Sequence, residues 1–138
     1  MRELCAHYGE IDLLWFDGQW EHTAEEWQSE RLVAMIRELQ PGCILNNRLE
    51  GHFKLEPGFG DYVTPEQFVP SDSLPWPWEI SMTISETWAY NPRDRAHKSS
   101  RELIYTLAEV ASKGVTFCSI SAPTRRASCR PNSPPGSR

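Results

Sequence analysis

The sequence predicts an α/β fold built on a parallel sheet, and three stretches near its start carry that prediction. Residues 11–16 are apolar apart from Asp12, and Asp17-Gly18 ends the run. A short apolar run bounded by turn signals is typical of a strand that is buried on both faces. A helical pattern that ends near Leu39 comes next, and a second short strand at 43–47 follows it. Strand, helix and strand in this order form the βαβ unit of a parallel sheet.

The helix between these strands has a predicted beginning, end and buried face. Thr23 and Glu26 have the spacing of a capping box, in which each side chain bonds to the backbone amide of the other residue. Pro41-Gly42 would stop the helix. One face is apolar at helical spacing and should pack on the sheet. It consists of Leu32, Met35, Ile36 and Leu39.

A further strand and helix are predicted after a long irregular stretch. Residues 49–77 are rich in Gly and Pro, and loops of this length in compact domains are usually functional or disordered. Residues 78–84 alternate as a strand does. Ser99 and Glu102 form a second capping-box pair, which should open a helix that runs to Lys113. The predicted inward face of this helix consists of Leu103, Leu107 and Val110.

Composition restricts the kinds of partner. The 138 residues carry a formal net charge of −5, and residues 122–138 contain arginines but no acid, so the acidic excess lies in residues 1–121. An acidic body argues against nucleic acid or an anionic membrane as a partner. Neither the cysteines nor the histidines have metal-ligand spacing, so we expect no metal site and no cofactor. Six tryptophans are many for this length, and flat apolar rings suit the faces of sugars.

Three carboxyl groups are candidates for catalysis. Asp17 would lie at the carboxyl end of the first strand, where barrel enzymes place their catalytic groups, although an Asp-Gly turn that closes a core strand is the alternative. Glu66 and Glu79 lie among aromatic residues, where poor solvation favours the protonated form of a carboxyl group. Hydrolysis of a glycosidic bond needs one ionised and one protonated carboxyl group.

Five stretches carry a resemblance to a known family. They are Tyr8 to Gly18, Gln40-Pro41 leading to Asn46-Asn47-Arg48, Gly60 to Glu66, Pro77 to Thr83, and Trp88 to Pro92 followed by Lys98-Ser99-Ser100. In this order, over about residues 3–114, the chain resembles the α-L-fucosidases of glycoside hydrolase family 29. The resemblance implies a retaining exo-glycosidase that releases α-L-fucose from fucosylated oligosaccharides or glycoconjugates by double displacement.

The resemblance also assigns catalytic roles. Asp17 matches the nucleophile, which forms a glycosyl-enzyme intermediate that water then hydrolyses. Glu66, at the end of a Thr-Pro-Glu segment, is preferred as the general acid/base. Glu79 is the alternative, because the acid/base lies in a variable loop of this family. The other readings are a solvated loop acid for Glu66 and, for Glu79, a structural carboxylate that positions a sugar hydroxyl or Arg48.

Three further residues match substrate-binding positions of the family. Trp15 and Trp88 match the aromatic groups that line the fucose pocket. Arg48 matches the basic residue there, whose guanidinium can donate hydrogen bonds to sugar hydroxyls or to Asp17. The alternative for Arg48 is an ordinary surface charge at the end of a strand.

The implied fold is the C-terminal half of a (β/α)8 barrel of the TIM type, incomplete, over residues 1–121. A complete barrel typically has about 250 residues. The earlier strands of the family carry histidines that bind fucose, and no histidine here matches them. We therefore expect residues 1–138 alone to be inactive, and the alternative function is an inactive fragment or a carbohydrate-binding pseudoenzyme remnant.

The end of the chain departs from the family pattern. After Gly114 the family usually continues with a Gly-Asn-hydrophobic run that ends in Asn-Ile-Gly-Pro, and later with Leu-Pro-Pro. Codons for residues 114–133, read one base earlier, permit both segments, so we predict that the tail is translated in a shifted frame. Accordingly, 115–121 should be at best a loosely paired edge, and 122–138, with its prolines and arginines, should have no fixed conformation.

Overall fold

The computed structural model describes residues 1–89, 91–114 and 116–120, the last range for its backbone. In chain order the elements are α1 (Arg2–His7), β1 (Leu13–Leu14), a 3-10 turn (Gln19–Glu21), α2 (Ala24–Trp27), α3 (Ser29–Leu39), β2 (Ile44–Leu45), β3 (Glu79–Thr83), α4 (Ser100–Ser112) and β4 (Thr116–Ile120). The α/β class is therefore confirmed. The predicted tail at 122–138 lies outside the described residues.

The strands run parallel and form two ladders. β1 pairs with β2, and β3 pairs with β4. A segment at 61–66 links the two ladders, although the sequence predicted only irregular structure there. Its parallel bridges join Asn46 to Tyr62, Val63 to Trp78 and Glu66 to Ser81. The described sheet thus has five parallel segments in chain order.

Side chains alternate in direction along these segments, so one face of the sheet is apolar and the other is polar. On the apolar face, Leu45 and its neighbours pack against Ile36 of α3, and Ile80 and Met82 of β3 form a cluster with Val110 of α4. The opposite face carries the side chains at the alternate positions. These include Trp15 and Asp17, Asn46 and Arg48, Thr64 and Glu66, and Glu79 and Ser81. The three predicted carboxyl groups therefore share one face of the sheet.

Both predicted capping boxes are present, but the first helix is not continuous. Thr23 N donates to Glu26 Oε2 at 2.8 Å, and Glu26 N donates to Thr23 Oγ1 at 3.2 Å. Gln28 adopts a left-handed conformation with φ 52°, which ends α2 and begins α3. The prediction of one unbroken helix is therefore wrong at Gln28, whereas its end at Leu39 is confirmed.

The prediction for the last helix is correct in its bounds and partly wrong in its buried face. Val110 is fully buried, but Leu107 is 50% exposed. Val110 packs against Ile80 and Met82 of β3, whereas the flank that carries Leu107 is open. Ile104 and Tyr105 on that flank are exposed as well.

The expectation of a loosely paired edge is wrong for residues 116–120. β4 pairs with β3 in continuous register from Glu79↔Thr116 to Thr83↔Ile120. Ladder hydrogen bonds join backbone groups, so the polar side chains that interrupt this run do not prevent pairing.

Candidate active site

The polar face of the sheet borders a cavity of about 650 Å³. Its lining residues are Trp15, Asp17, Trp20, Arg48, Glu66, Glu79, Ser81 and Trp88. All six residues that the sequence predicted for the site are among them, and they come from five separate stretches of the chain. Trp20 and Ser81 are additions that the structure makes.

Arg48 connects two of the candidate carboxyl groups of the site. Its side chain is only 3% exposed, and its Nη1 donates to Asp17 Oδ1 at 2.8 Å. Its Nη2 donates to Glu66 Oε2 at 2.7 Å. One guanidinium therefore joins two carboxylates, a geometry that a planar fork of donors allows and a point charge does not. The alternative reading of Arg48 as a surface charge is wrong.

Two neighbours, Thr64 and Trp15, hold the guanidinium in this position. Arg48 Nε donates to Thr64 Oγ1 at 3.0 Å, and the guanidinium lies over the Trp15 ring, 4.5 Å from its centroid. Thr64 is itself fixed, because its amide and hydroxyl both donate to Asn47 Oδ1 at 3.0 Å. Since Thr64 and Asn47 are buried, this network is shielded from competing water.

Asp17 lies three residues beyond the end of β1. Between them, the side chain of Asn46 replaces the backbone hydrogen bonds of the ladder. Asn46 Oδ1 accepts from Phe16 N at 2.9 Å, and Asn46 Nδ2 donates to Phe16 O at 2.9 Å. The Asp17 side chain remains 56% exposed, and within the described residues its second oxygen accepts no hydrogen bond. One oxygen of Asp17 is therefore anchored while the other is open to a ligand.

Glu79 has a different environment from Glu66. Its Oε1 accepts hydrogen bonds from Trp15 Nε1 at 2.5 Å and from Tyr62 Oη at 3.2 Å. Both donors are neutral, and no lysine or arginine in the described part of the chain pairs with Glu79. Of the two glutamates, Glu66 is therefore the one that positions Arg48.

The aromatic residues of the cavity keep open ring surface. Trp15 is 40% exposed and Trp88 is 39% exposed, although both line the cavity. Trp15 has two roles, since its ring supports Arg48 while its N–H donates to Glu79. Exposed rings beside fixed carboxylates suit a ligand with apolar C–H faces and polar hydroxyls, which is the chemistry of a sugar.

Some residues of the site carried little signal in the sequence. Ser81 shares a sheet face with Glu79 because the two are two residues apart, so that spacing was a usable signal. Trp20 follows Asp17 by three residues and could have been noted as a neighbour. Thr64 gave no signal, because its role depends on Arg48, which is remote in sequence.

Two negative observations apply to the part of the chain that the structure describes. There, no cluster of three His, Cys, Asp or Glu side chains could hold a metal ion. Over the same residues, no helix is both long enough and apolar enough to cross a membrane.

Comparison with known proteins gives a consistent result. The family model described as alpha-L-fucosidase matches residues 1–124. The tissue alpha-L-fucosidase of Homo sapiens is 26% identical over 121 residues, which cover 83% of this chain and 26% of that protein. The plasma alpha-L-fucosidase of Homo sapiens is 27% identical over 127 residues, covering 88% of this chain and 27% of the relative. The chain thus spans about a quarter of the length of these curated relatives.

Solved structures agree with the sequence comparisons. Alpha-L-fucosidase isoenzyme 1 from Paenibacillus thiaminolyticus is 38% identical with a TM-score of 0.74, over 88% of this chain and 31% of that chain. The alpha-L-fucosidase AlfC from Lactobacillus casei is 28% identical with a TM-score of 0.64, over 86% of this chain and 34% of that chain. Since the family model matches most of the chain and similar structures carry the same name, this chain belongs to the alpha-L-fucosidase family.

Proposed function

We propose that this chain is the part of a retaining α-L-fucosidase that carries the catalytic carboxyl groups, and that further sequence completes its (β/α)8 barrel. The whole enzyme would release α-L-fucose from fucosylated oligosaccharides or glycoconjugates. One observation carries the proposal: a buried guanidinium, that of Arg48, fixes two carboxylates at the wall of an aromatic-lined cavity. Parallel segments in chain order support the barrel, because barrel strands follow each other in this way.

Asp17 is the proposed nucleophile. In the first step one of its oxygens forms a bond to the anomeric carbon, and the bond from that carbon to the leaving oxygen breaks. In the second step water attacks the same carbon and releases Asp17, so the configuration is retained. Within the described residues one Asp17 oxygen accepts no hydrogen bond, which supports this role, while the bond from Arg48 to the other oxygen holds the carboxylate in position.

The contacts of the two glutamates support Glu79 as the general acid/base, with Glu66 as the alternative. A general acid must carry a proton when substrate binds. Arg48 Nη2 donates to Glu66 Oε2 at 2.7 Å, so the Glu66 carboxyl group is already held as a partner of Arg48. Glu79 accepts hydrogen bonds only from Trp15 and Tyr62 within the described structure, so its carboxyl group is not committed to Arg48. In the second step the same residue would remove a proton from water.

The remaining cavity residues fit a fucose ring. Trp15 and Trp88 offer apolar surface for the C–H groups of the sugar, including its methyl group. Hydroxyl groups of the ring would meet the free carboxylate oxygens, which act as acceptors. The AlfC structures include complexes with α-L-fucose and with Fuca(1,6)GlcNAc, which is consistent with a fucosylated substrate for this chain.

A chimera provides the decisive experiment. Residues 1–120 would replace the matching segment of the Paenibacillus thiaminolyticus enzyme, whose structure is similar over that part. The chimera should hydrolyse an aryl α-L-fucoside with retention of configuration. Asp17→Gly should abolish nearly all turnover, and added azide should partly restore it by entering the space left by the carboxylate.

Asp72→Gly is the matched control, because Asp72 is an exposed acid that does not line the cavity. It should leave turnover unchanged. Wild-type turnover in the Asp17→Gly chimera would overturn the assignment of the nucleophile. A chimera that binds fucosides without turnover would instead favour the carbohydrate-binding alternative.

A further inference from the structure

A second cavity adjoins the candidate active site, and one tryptophan lines both. The second cavity has a volume of about 560 Å³. Its lining residues are Trp20, His22, Thr23, Ala24, Glu25, Glu50, Gly51, His52, Lys54 and Phe59. Within the described structure, Trp20 is the residue that this cavity shares with the cavity around Asp17. A ligand that leaves the active site past Trp20 therefore enters a second concave surface.

Trp20 is presented rigidly and is widely open. The 3-10 turn that carries it begins after Gly18, whose left-handed φ of 80° redirects the chain, and Glu21 N donates to Gly18 O at 3.2 Å. The turn is also tied down because Trp27 Nε1 donates to the backbone oxygen of the buried Gln19 at 3.2 Å. The Trp20 residue is nevertheless 61% exposed. Exposed apolar surface on a fixed backbone is a binding surface that costs little ordering entropy.

The second cavity has the mixed chemistry of a sugar site. Lys54 Nζ donates to Glu50 Oε2 at 2.7 Å, and this hydrogen bond raises the pKa of Lys54, so its ammonium stays charged. The Thr23 hydroxyl adds a further polar group. The two walls are in close contact at Gly51, where a Cβ atom would lie 2.6 Å from His22 O. At Gly51 the backbones of the two walls are therefore in direct contact.

We propose that Trp20 is the stacking platform for the sugar to which fucose is attached, and that the second cavity receives the continuation of that glycan. The proposal rests on the proposed function, since it identifies the non-fucose side of the same substrate. Aromatic rings stack on sugar faces through apolar contact, which adds affinity without requiring one particular hydroxyl pattern. The chain should therefore prefer fucosylated oligosaccharides to simple fucosides.

The test is a binding comparison with the 138-residue chain labelled with ¹⁵N. Methyl α-L-fucoside has no second sugar to stack on Trp20, whereas every member of a panel of fucosyl disaccharides that differ in linkage has one. At least one disaccharide should bind about three- to tenfold more tightly than methyl fucoside and shift the Trp20 indole N–H signal. Trp20→Ala should remove that advantage, and Trp20→Phe should restore part of it.

Trp76→Ala is the matched control, because Trp76 is 46% exposed and does not line either cavity. It should leave the ratio of the two affinities unchanged. If methyl fucoside binds but no disaccharide binds more tightly, or if Trp20→Ala leaves the ratio intact, the platform is wrong and the proposed function stands. Failure of every ligand to bind the wild-type chain would overturn the platform, whereas the proposed function is tested by turnover of the chimera.

Discussion

Asn46 uses its side-chain amide to bond both polar groups of Phe16, accepting from Phe16 N and donating to Phe16 O, each at 2.9 Å. A parallel neighbour strand would normally supply such bonds through its backbone. Here β1 has already ended at Leu14, so a fully buried side chain extends the pairing by two residues. The position of Asp17 therefore depends on an amide that is remote from it in sequence.

Replacing this amide should destabilise the protein as well as displace Asp17. Asn46→Ala leaves the polar groups of Phe16 without partners, and each unsatisfied buried group costs about 1–3 kcal/mol. We expect the free energy of unfolding, measured by urea denaturation of the 138-residue chain, to fall by at least about 1 kcal/mol. Asn91→Ala changes the same residue type at an exposed loop position and should alter stability by less than about 0.5 kcal/mol. Equal effects of the two substitutions would contradict this role of Asn46.

Arg48 should not be replaceable by lysine. A lysine ammonium is a single point charge and cannot hold Asp17 and Glu66 through two separate nitrogens while it stacks on Trp15. Arg48→Lys in the chimera should lower kcat/KM for an aryl fucoside by about a hundredfold, since misplacement of a reacting group by about 1 Å costs that much. Arg95→Lys, at an exposed position away from the cavity, is the control. A loss below about threefold for Arg48→Lys would indicate that the two carboxylates hold their positions without the fork.

Substrates with different leaving groups test the acid/base residue separately from the nucleophile. If Glu79 protonates the leaving oxygen, Glu79→Gln should slow substrates with poor leaving groups far more than activated aryl fucosides, which need little acid help. Glu66→Gln should instead slow both classes similarly, because it disturbs Arg48. The ratio of kcat/KM for the two substrate classes is the measurement. The reversed pattern would assign the acid/base role to Glu66, which the sequence analysis preferred.

The second capping box predicts a dependence of stability on pH. Hydrogen bonds from Ser99 lower the pKa of Glu102 from its ordinary value of 4.5. A carboxyl whose pKa is lower in the folded state contributes stability above its unfolded pKa, and that contribution is lost as pH falls through the folded pKa. Unfolding of the wild-type chain by urea should therefore become easier below about pH 4.5. Glu102→Gln should flatten part of this slope, whereas Glu38→Gln, on an exposed helix position without such a cap, should not.

Local features of the fold were predictable from the sequence, and non-local ones were not. Thr23 with Glu26 and Ser99 with Glu102 lie three residues apart, so their capping boxes follow from spacing alone. The break at Gln28 carries no glycine or proline to signal it. The parallel bridges of 61–66 depend on neighbours that come from either side in the chain, which no periodicity within that stretch reports.

In the candidate site, too, the sequence predicted local features but not contacts between distant residues. Motifs identified six of the eight residues that line the cavity, because each of the six belongs to a short recognisable stretch. Their mutual contacts could not be read from those motifs: Arg48 pairs with Glu66 and not with Glu79, although both glutamates follow it at a distance along the chain. Trp20 was overlooked because its significance comes from a second cavity, whose walls are formed by residues 20–25 and 50–59 together.

The shared guanidinium has an electrostatic consequence for the reaction. Arg48 supplies one positive charge to the carboxylates of Asp17 and Glu66. These three side chains together therefore carry a net negative charge. Cleavage of a glycosidic bond passes through an oxocarbenium-like transition state, in which positive charge develops on the sugar ring. A fixed anionic surplus beside that ring stabilises the developing cation more than the neutral ground state, and interactions of this kind accelerate the chemical step. A ring-shaped cation, such as a protonated iminosugar of fucose configuration, matches the same charge distribution and should bind more tightly than fucose itself.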